Sequence, residues 1–199
     1  LFEGDTNAFD DPNDPMGLSK VARSFMAGIL KHASEISLVT NQWVNSYKRI
    51  SGGFEAPISA TWSSGNRCTM LRVPRYMPNK SSSRRVEVRT PDPGCNPYLA
   101  FAAIFAAGLK GVEEGYEIPP EAEEDVNLMH PKERKAMGYP DLPKSLASAL
   151  ACFESSELMA EALGEHVFEF LIRSKHEEWT RYSRPVSYTH LTLPTILLV

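Results

Sequence analysis

The chain has 199 residues, 42% of them hydrophobic and 23% charged, with a formal net charge of −4. Those values suit one medium soluble domain with its own core and exclude a case for nucleic acid, since no basic tail or lysine-rich patch is present. The longest apolar run, Tyr98 to Leu109, is shorter than the roughly 20 residues of a membrane span, and Cys68, Cys95 and Cys152 form no C-x-x-C, so a reducing cytoplasm is expected rather than a zinc site or a disulfide framework.

Leu1 opens the chain without a methionine, as a fragment would. Asp5 to Pro15 is rich in Asp, Asn and Pro and is expected to be an exposed loop. Ser19 caps a predicted helix in which Val21, Phe25, Ile29 and Ala33 recur at helical spacing, through about Glu35. Asn45-Ser46-Tyr47-Lys48-Arg49 then runs into a turn with Gly52 and Gly53, which carries the lone carboxylate Glu55 ahead of Pro57. Ile58 to Ser63, Cys68 to Pro74 and Arg85 to Thr90 are predicted strands, the last two joined by the polar link 78–83. Asn96 caps a further helix with Pro97 at its first position. That helix is apolar on nearly every side and is expected to be buried, ending near Gly111. An acidic, proline-bracketed excursion follows from Pro119 to Pro143. Among the two or three helices after it, the last runs from about Glu165 to Tyr182 with Val167, Leu171, Lys175 and Trp179 on one face. Residues 186–199 are uncharged apart from His190, β-prone and joined to a charged helix without turn chemistry. They resemble a translated sequencing adapter and are set apart from the domain, 1–185, as a non-native tail.

The chemistry gathers between Arg49 and Arg89. A strand period of two sends Arg85, Glu87 and Arg89 to one face and Val86 and Val88 to the other. The plain account is a surface ladder of ion pairs, worth about 0.2–1 kcal/mol each. The functional account makes Glu87 a hard-oxygen ligand for Mg²⁺ or Mn²⁺, with Arg89 on a substrate carboxylate beside it. Arg67 and Arg72, near Asn66, would form a phosphate clamp, because guanidinium forks match phosphate oxygens. Glu55 on a glycine-hinged flap could shield a reactive intermediate from water. His32, His130, His166 and His176 show no metal-ligand spacing, so surface or satisfied-core roles are expected.

The chain resembles the C-terminal part of a type I glutamine synthetase. The similarity runs through Gly17-Leu18-Ser19, Ala27 to Ala33, Val44 to Arg49, Phe54-Glu55-Ala56-Pro57, Asn66-Arg67, Arg85 to Arg89, Asp92-Pro93 and Asn96 to Ala102, and covers about residues 15 to 185. Few families combine N-S-Y-K-R, a flap E-A-P and a glutamate two residues before an arginine in this order. The resemblance implies an α+β fold, an antiparallel sheet packed with helices and a helical C-terminal region. It also implies a two-step ligase reaction, in which ATP phosphorylates the γ-carboxylate of glutamate and ammonia displaces the phosphate.

By matching position, Arg49 and Arg89 would bind glutamate, with Arg49 also near the transferring phosphoryl group. Glu55 would be the flap glutamate that closes on the intermediate, and Arg67 would reach both substrate and ATP phosphates. Arg72 and Lys80 would contact ATP, and Glu87 would bind the nucleotide-side metal. The loop from Arg72 to Arg84 is about two residues longer than the family norm. Met129 stands where regulated members carry an adenylylated tyrosine, so that control is expected to be absent. The family's other metal ligands and the small N-terminal domain would lie upstream of Leu1, so the chain alone is expected to be inactive and to associate poorly, whereas the family forms dodecamers. Two alternatives stand beside glutamine synthesis. One is a γ-glutamyl ligase for a polyamine or other amine, with Trp43 and Trp62 reshaping the acceptor pocket. The other is a non-catalytic homologue, against which the expected burial of four arginines counts, since each must be desolvated.

Overall fold

The computed structural model describes residues 1–50, 56–75 and 81–184. A short antiparallel hairpin, β1 (Phe2–Glu3) and β2 (Thr6–Asn7), opens the chain. The segment expected as an exposed loop is therefore anchored in part. Asn7 is buried and its Nδ2 donates to the carbonyls of Ser81 (3.0 Å) and Arg84 (2.8 Å), while Phe9 enters the core.

Helix α1 (Lys20–Lys31) starts where expected, with the Ser19 Oγ accepting from the Ala22 N–H at 3.1 Å. His32, at φ −96° and ψ 14°, breaks it, and α2 (Ala33–Thr40) carries the chain on. A tight turn leads into α3 (Ser46–Ile50). Three short strands, β3 (Trp62–Ser63), β4 (Leu71–Arg72) and β5 (Glu87–Val88), form one sheet in that order. β4 and β5 are antiparallel, with Leu71 opposite Val88 and Arg72 opposite Glu87. β3 and β4 are parallel, so the expected antiparallel sheet is mixed: residues 64–70 loop back along β3 instead of reversing as a hairpin.

Helix α4 (Pro97–Glu113) follows its Asn96 cap, whose Oδ1 accepts from the N–H groups of Tyr98 (3.0 Å) and Leu99 (3.4 Å). Glycine lets α4 lie against α1 backbone to backbone. A Cβ on Gly28 would fall 2.2 Å from the Ala107 carbonyl oxygen, and one on Gly111 would fall 2.2 Å from the Ser24 carbonyl oxygen. The expectation that α4 is buried all round fails. Its small-residue stripe, Ala100, Ala103, Ala107, Gly108 and Gly111, is buried, but Tyr98, Phe101, Phe105 and Leu109 are exposed, Phe101 at 61%. The described residues cover only the face where small side chains admit a neighbouring helix.

Segment 119–143, expected as an excursion, docks on β3 instead. The Trp62 indole donates to the Pro119 carbonyl at 2.7 Å, the Ala122 N–H donates to the Trp62 carbonyl at 3.0 Å, and Ser59 bridges to Asp141. It includes α5 (Pro131–Ala136). Helices α6 (Leu146–Glu154) and α7 (Glu157–Ser183) complete the fold. Helix α7 breaks at Gly164, where φ is 74° and a side chain would be strained, so its second part begins where the periodicity predicts. Val167, Leu171 and Trp179 pack on the core, and Phe153 stacks on Phe168 at 4.8 Å. The α+β class holds. No described helix is long and apolar enough to cross a membrane.

Candidate active site

The β4–β5 register builds the charged face. It sets Arg72 opposite Glu87, where Arg72 Nη1 donates to Glu87 Oε2 at 3.1 Å and Arg85 Nη2 donates to Oε1 at 3.2 Å. Arg72 and Glu87 are each about one-third exposed, their side chains at 29% and 33%, so the pair is only a modest stabiliser. Val86 and Val88 pack against the core on the other face, as the alternation predicts.

Arg89 leaves this strand with its N–H bonded to the Met70 carbonyl at 2.9 Å. Its Nη1 is buried and has no hydrogen-bond partner among the described residues. Arg49, at the end of α3, crosses to the same strand exit. Its Nη2 donates to the carbonyls of Thr90 (2.5 Å), Pro91 (3.2 Å) and Arg89 (3.4 Å). The Arg49 guanidinium is thus held on the backbone that leaves β5, and Arg89 keeps a buried N–H group open for an acceptor. A guanidinium N–H of this kind can take a carboxylate or phosphate oxygen.

Arg67 stands exposed on the turn that precedes β4, so Arg67 and Arg72 flank the start of that strand. Side chains fix the turn from within. Ser63 Oγ accepts from the N–H groups of Gly65 (3.2 Å) and Asn66 (3.0 Å), Asn66 Oδ1 accepts from Cys68 N–H (2.8 Å), and Asn66 Nδ2 donates to the Glu124 carbonyl (2.6 Å). Glu55 and Lys80, with the Gly52–Gly53 hinge, lie outside the described residues.

Two expectations are corrected. The arginines are not buried: Arg49 and Arg67 are exposed and Arg72 and Arg89 half-buried, because the charged face of the sheet stays open. Trp62 is a core residue bonded to Pro119, so it lines no acceptor pocket. The Trp43 ring lies 4.5 Å from Lys175 Nζ and near Gly94, and it remains 47% exposed. His166 and His176 lie at the surface, His176 bonding Glu154, and His130 caps α5, as expected; His32 pairs with Glu35 at 2.8 Å but is not fully satisfied, since its buried Nε2 has no partner among the described residues.

Sequence reasoning missed two supporting carboxylates. Glu121 Oε1 accepts from Ser64 N–H (2.6 Å), Ser64 Oγ (2.7 Å) and Ser63 Oγ (2.9 Å), tying the 119–127 segment to the Arg67 turn. Burial pushes its carboxyl up, but these donors outweigh it and hold the group below its ordinary value. Nothing in the local sequence marks it. Glu178 pairs with Lys175 beneath Trp43. Here a signal existed, since a lysine stands in the apolar stripe of the last helix.

Glu87 offers the hard oxygens that Mg²⁺ takes. Among the described residues, no group of three His, Cys, Asp or Glu could hold a metal ion. At this strand the described residues offer a divalent metal one carboxylate, whose oxygens are engaged by Arg72 and Arg85, and not a complete cage.

A family profile described as glutamine synthetase, catalytic domain, matches residues 1–193. Fold and site define a domain of that class, and the chain belongs to the glutamine synthetase family. Over 187 residues it is 60% identical to the glutamine synthetase of Mycolicibacterium smegmatis, covering 94% of this chain and 42% of that protein. It is 44% identical to the glutamine synthetase of Thermotoga maritima with the same coverage. A solved GmaS/ADP complex in conformation 1 matches with a TM-score of 0.79 and 32% identity, over 94% of this chain and 43% of that one. The chain thus spans less than half the length of the relatives it matches.

Proposed function

We propose that residues 1–185 are the C-terminal part of the catalytic domain of a glutamate–ammonia ligase, with 186–199 a tail outside it. ATP phosphorylates the γ-carboxylate of glutamate, and ammonia then displaces phosphate from γ-glutamyl phosphate. The observation that carries this is the strand exit where Arg49 and Arg89 meet, one strand from the Arg72–Glu87 pair, in a chain of the glutamine synthetase family. Arg49 and Arg89 grip glutamate, Arg67, Arg72 and Lys80 take phosphate oxygens of ATP, and Glu55 closes over the intermediate. Phosphoryl transfer asks a protein mainly for positioning and charge neutralisation, which arginines at fixed positions provide. Glu87 would hold Mg²⁺ or Mn²⁺, which neutralises phosphate charge when bound, since each of its oxygens accepts from one arginine and keeps a second lone pair.

Ammonia is the proposed acceptor, in keeping with the relatives named glutamine synthetase; Trp62, which could favour a larger amine, is buried in the core. Burial of the arginines no longer speaks against a non-catalytic homologue, but the open N–H of Arg89 does. No disulfide joins Cys68, Cys95 and Cys152 among the described residues, in keeping with the proposed cytoplasmic setting. A complete enzyme, a dodecamer with sites between subunits, would supply the further metal ligands, and the chain alone would be inactive.

The test compares ATP consumed with amide formed by the full-length enzyme, first with ammonia and then with polyamines. Glutamate-dependent, one-to-one amide formation with ammonia is expected. Faster amide formation with a polyamine would overturn the acceptor, and no glutamate-dependent ATP consumption would overturn the ligase. Glu55→Ala should still consume ATP but form less amide for each ATP.

A further inference from the structure

Arg49 hangs from the short helix α3, which is too small to hold it without help. On one side the guanidinium is tied to the Arg89–Pro91 carbonyls. On the other, the turn entering α3 is held by α7. Glu178 divides its carboxylate: Oε2 accepts from Lys175 Nζ at 2.8 Å, and Oε1 accepts from the Val44 backbone N–H at 3.3 Å. Lys175 is 6% exposed, and its Nζ stands 4.5 Å from the Trp43 ring centroid. The turn closes when Trp43 N–H donates to Ser46 Oγ (3.3 Å) and Ser46 N–H donates to the Trp43 carbonyl (3.0 Å). Tyr47 is buried beneath, its hydroxyl donating to the Ser37 carbonyl at 3.4 Å.

A Lys–Glu pair with Lys175 buried and the Glu178 side chain 27% exposed is a poor device for stability alone, because desolvation of the lysine and solvent screening of the carboxylate cancel much of its attraction. What this pair does is geometric: it fixes the acceptor for one backbone N–H, two residues ahead of α3. We propose that Glu178, oriented by Lys175, is a positioning residue that sets the entry of α3 and so the reach of Arg49 to substrate. It rests on Arg49 gripping glutamate, as proposed above.

Two double variants of the full-length enzyme isolate the effect. Lys175→Met/Glu178→Gln removes both charges but keeps an amide oxygen for the Val44 N–H. Lys175→Met/Glu178→Leu removes the charges and the acceptor. Both replace the ion pair by uncharged side chains of similar size, a change that buried pairs often tolerate. The KM for glutamate should stay within about threefold of the parent's in the Gln variant and rise about tenfold or more in the Leu variant. The KM for ATP should hold in both, since Arg72 sits on β4 and is not bonded to α7. Equal glutamate KM values in the two variants, or a parallel rise for ATP, would overturn the proposal. A parent that does not use glutamate would overturn the ligase itself, and hydrogen exchange over residues 43–50 would still decide the positioning role. Faster exchange in the Leu variant than in the Gln variant supports it, and equal exchange overturns it.

Discussion

Gly28→Ala tests the backbone contact between α1 and α4 that supports the rest of the fold. The new methyl would meet the Ala107 carbonyl oxygen at 2.2 Å, the Gly111 nitrogen at 2.8 Å and the Gly111 Cα at 2.9 Å. All three are backbone atoms, so no rotamer change relieves them, and the helices must separate by roughly 1 Å. Overpacking of this kind costs about 1–3 kcal/mol, and rigid backbone places it at about 3. Alanine's better helix propensity offsets roughly 1 kcal/mol. The net loss is about 2 kcal/mol, or a fall in Tm of about 4–8 °C for a chain of this size. Thermal unfolding followed by circular dichroism on the 199-residue chain measures it. Gly65→Ala is the control, because no atom lies within 4 Å of its Cβ position. Gly111→Ala presses on the same contact from the other side, so the double variant should lose less than the sum of the singles. A Gly28→Ala chain as stable as the parent would show that the helices do not pack this closely.

In the full-length enzyme, Glu87→Gln keeps the side-chain shape and removes an anionic ligand. Activity should fall about 100-fold or more, and Mg²⁺-ATP should bind more weakly by calorimetry; full activity at ordinary magnesium would end the metal assignment. Arg89→Lys cannot make a bidentate grip, so the KM for glutamate should rise about 10-fold or more, and an unchanged value would remove Arg89 from the substrate site. Glu121 gives a pH signature. Its folded-state pKa lies below the ordinary 4.5, so its bonds contribute fully above that value and lose their contribution as pH falls through the folded one. The stability gap between parent and Glu121→Gln should be widest near neutral pH and close as pH falls below the ordinary carboxylate range; a gap independent of pH would mean that the carboxylate's charge is not what holds the turn.

The helix starts were legible from local chemistry. Ser19 and Asn96 can satisfy orphan N–H groups wherever the chain goes next, and both do so here. The alternation of Arg85, Val86, Glu87 and Val88 likewise told one face from the other before any neighbour was known. The sequence also brought out Arg49, Arg72, Glu87 and Arg89 as one constellation, through motif order. It could not give the direction of β3 against β4, because that depends on how residues 64–70 return, and a loop's path is set by what it docks on. Nor could it tell that α4 would show an aromatic face, since an all-apolar pattern states what can be buried and not what is present to bury it. Glu121 was invisible as a site support for the same reason, and Lys175 in the apolar stripe marked its neighbour Glu178 without showing what that carboxylate would hold. Their distant partners Ser63 and Val44 lie 58 and 134 residues away, and such a donor is unknown until the tertiary fold brings it to the carboxylate.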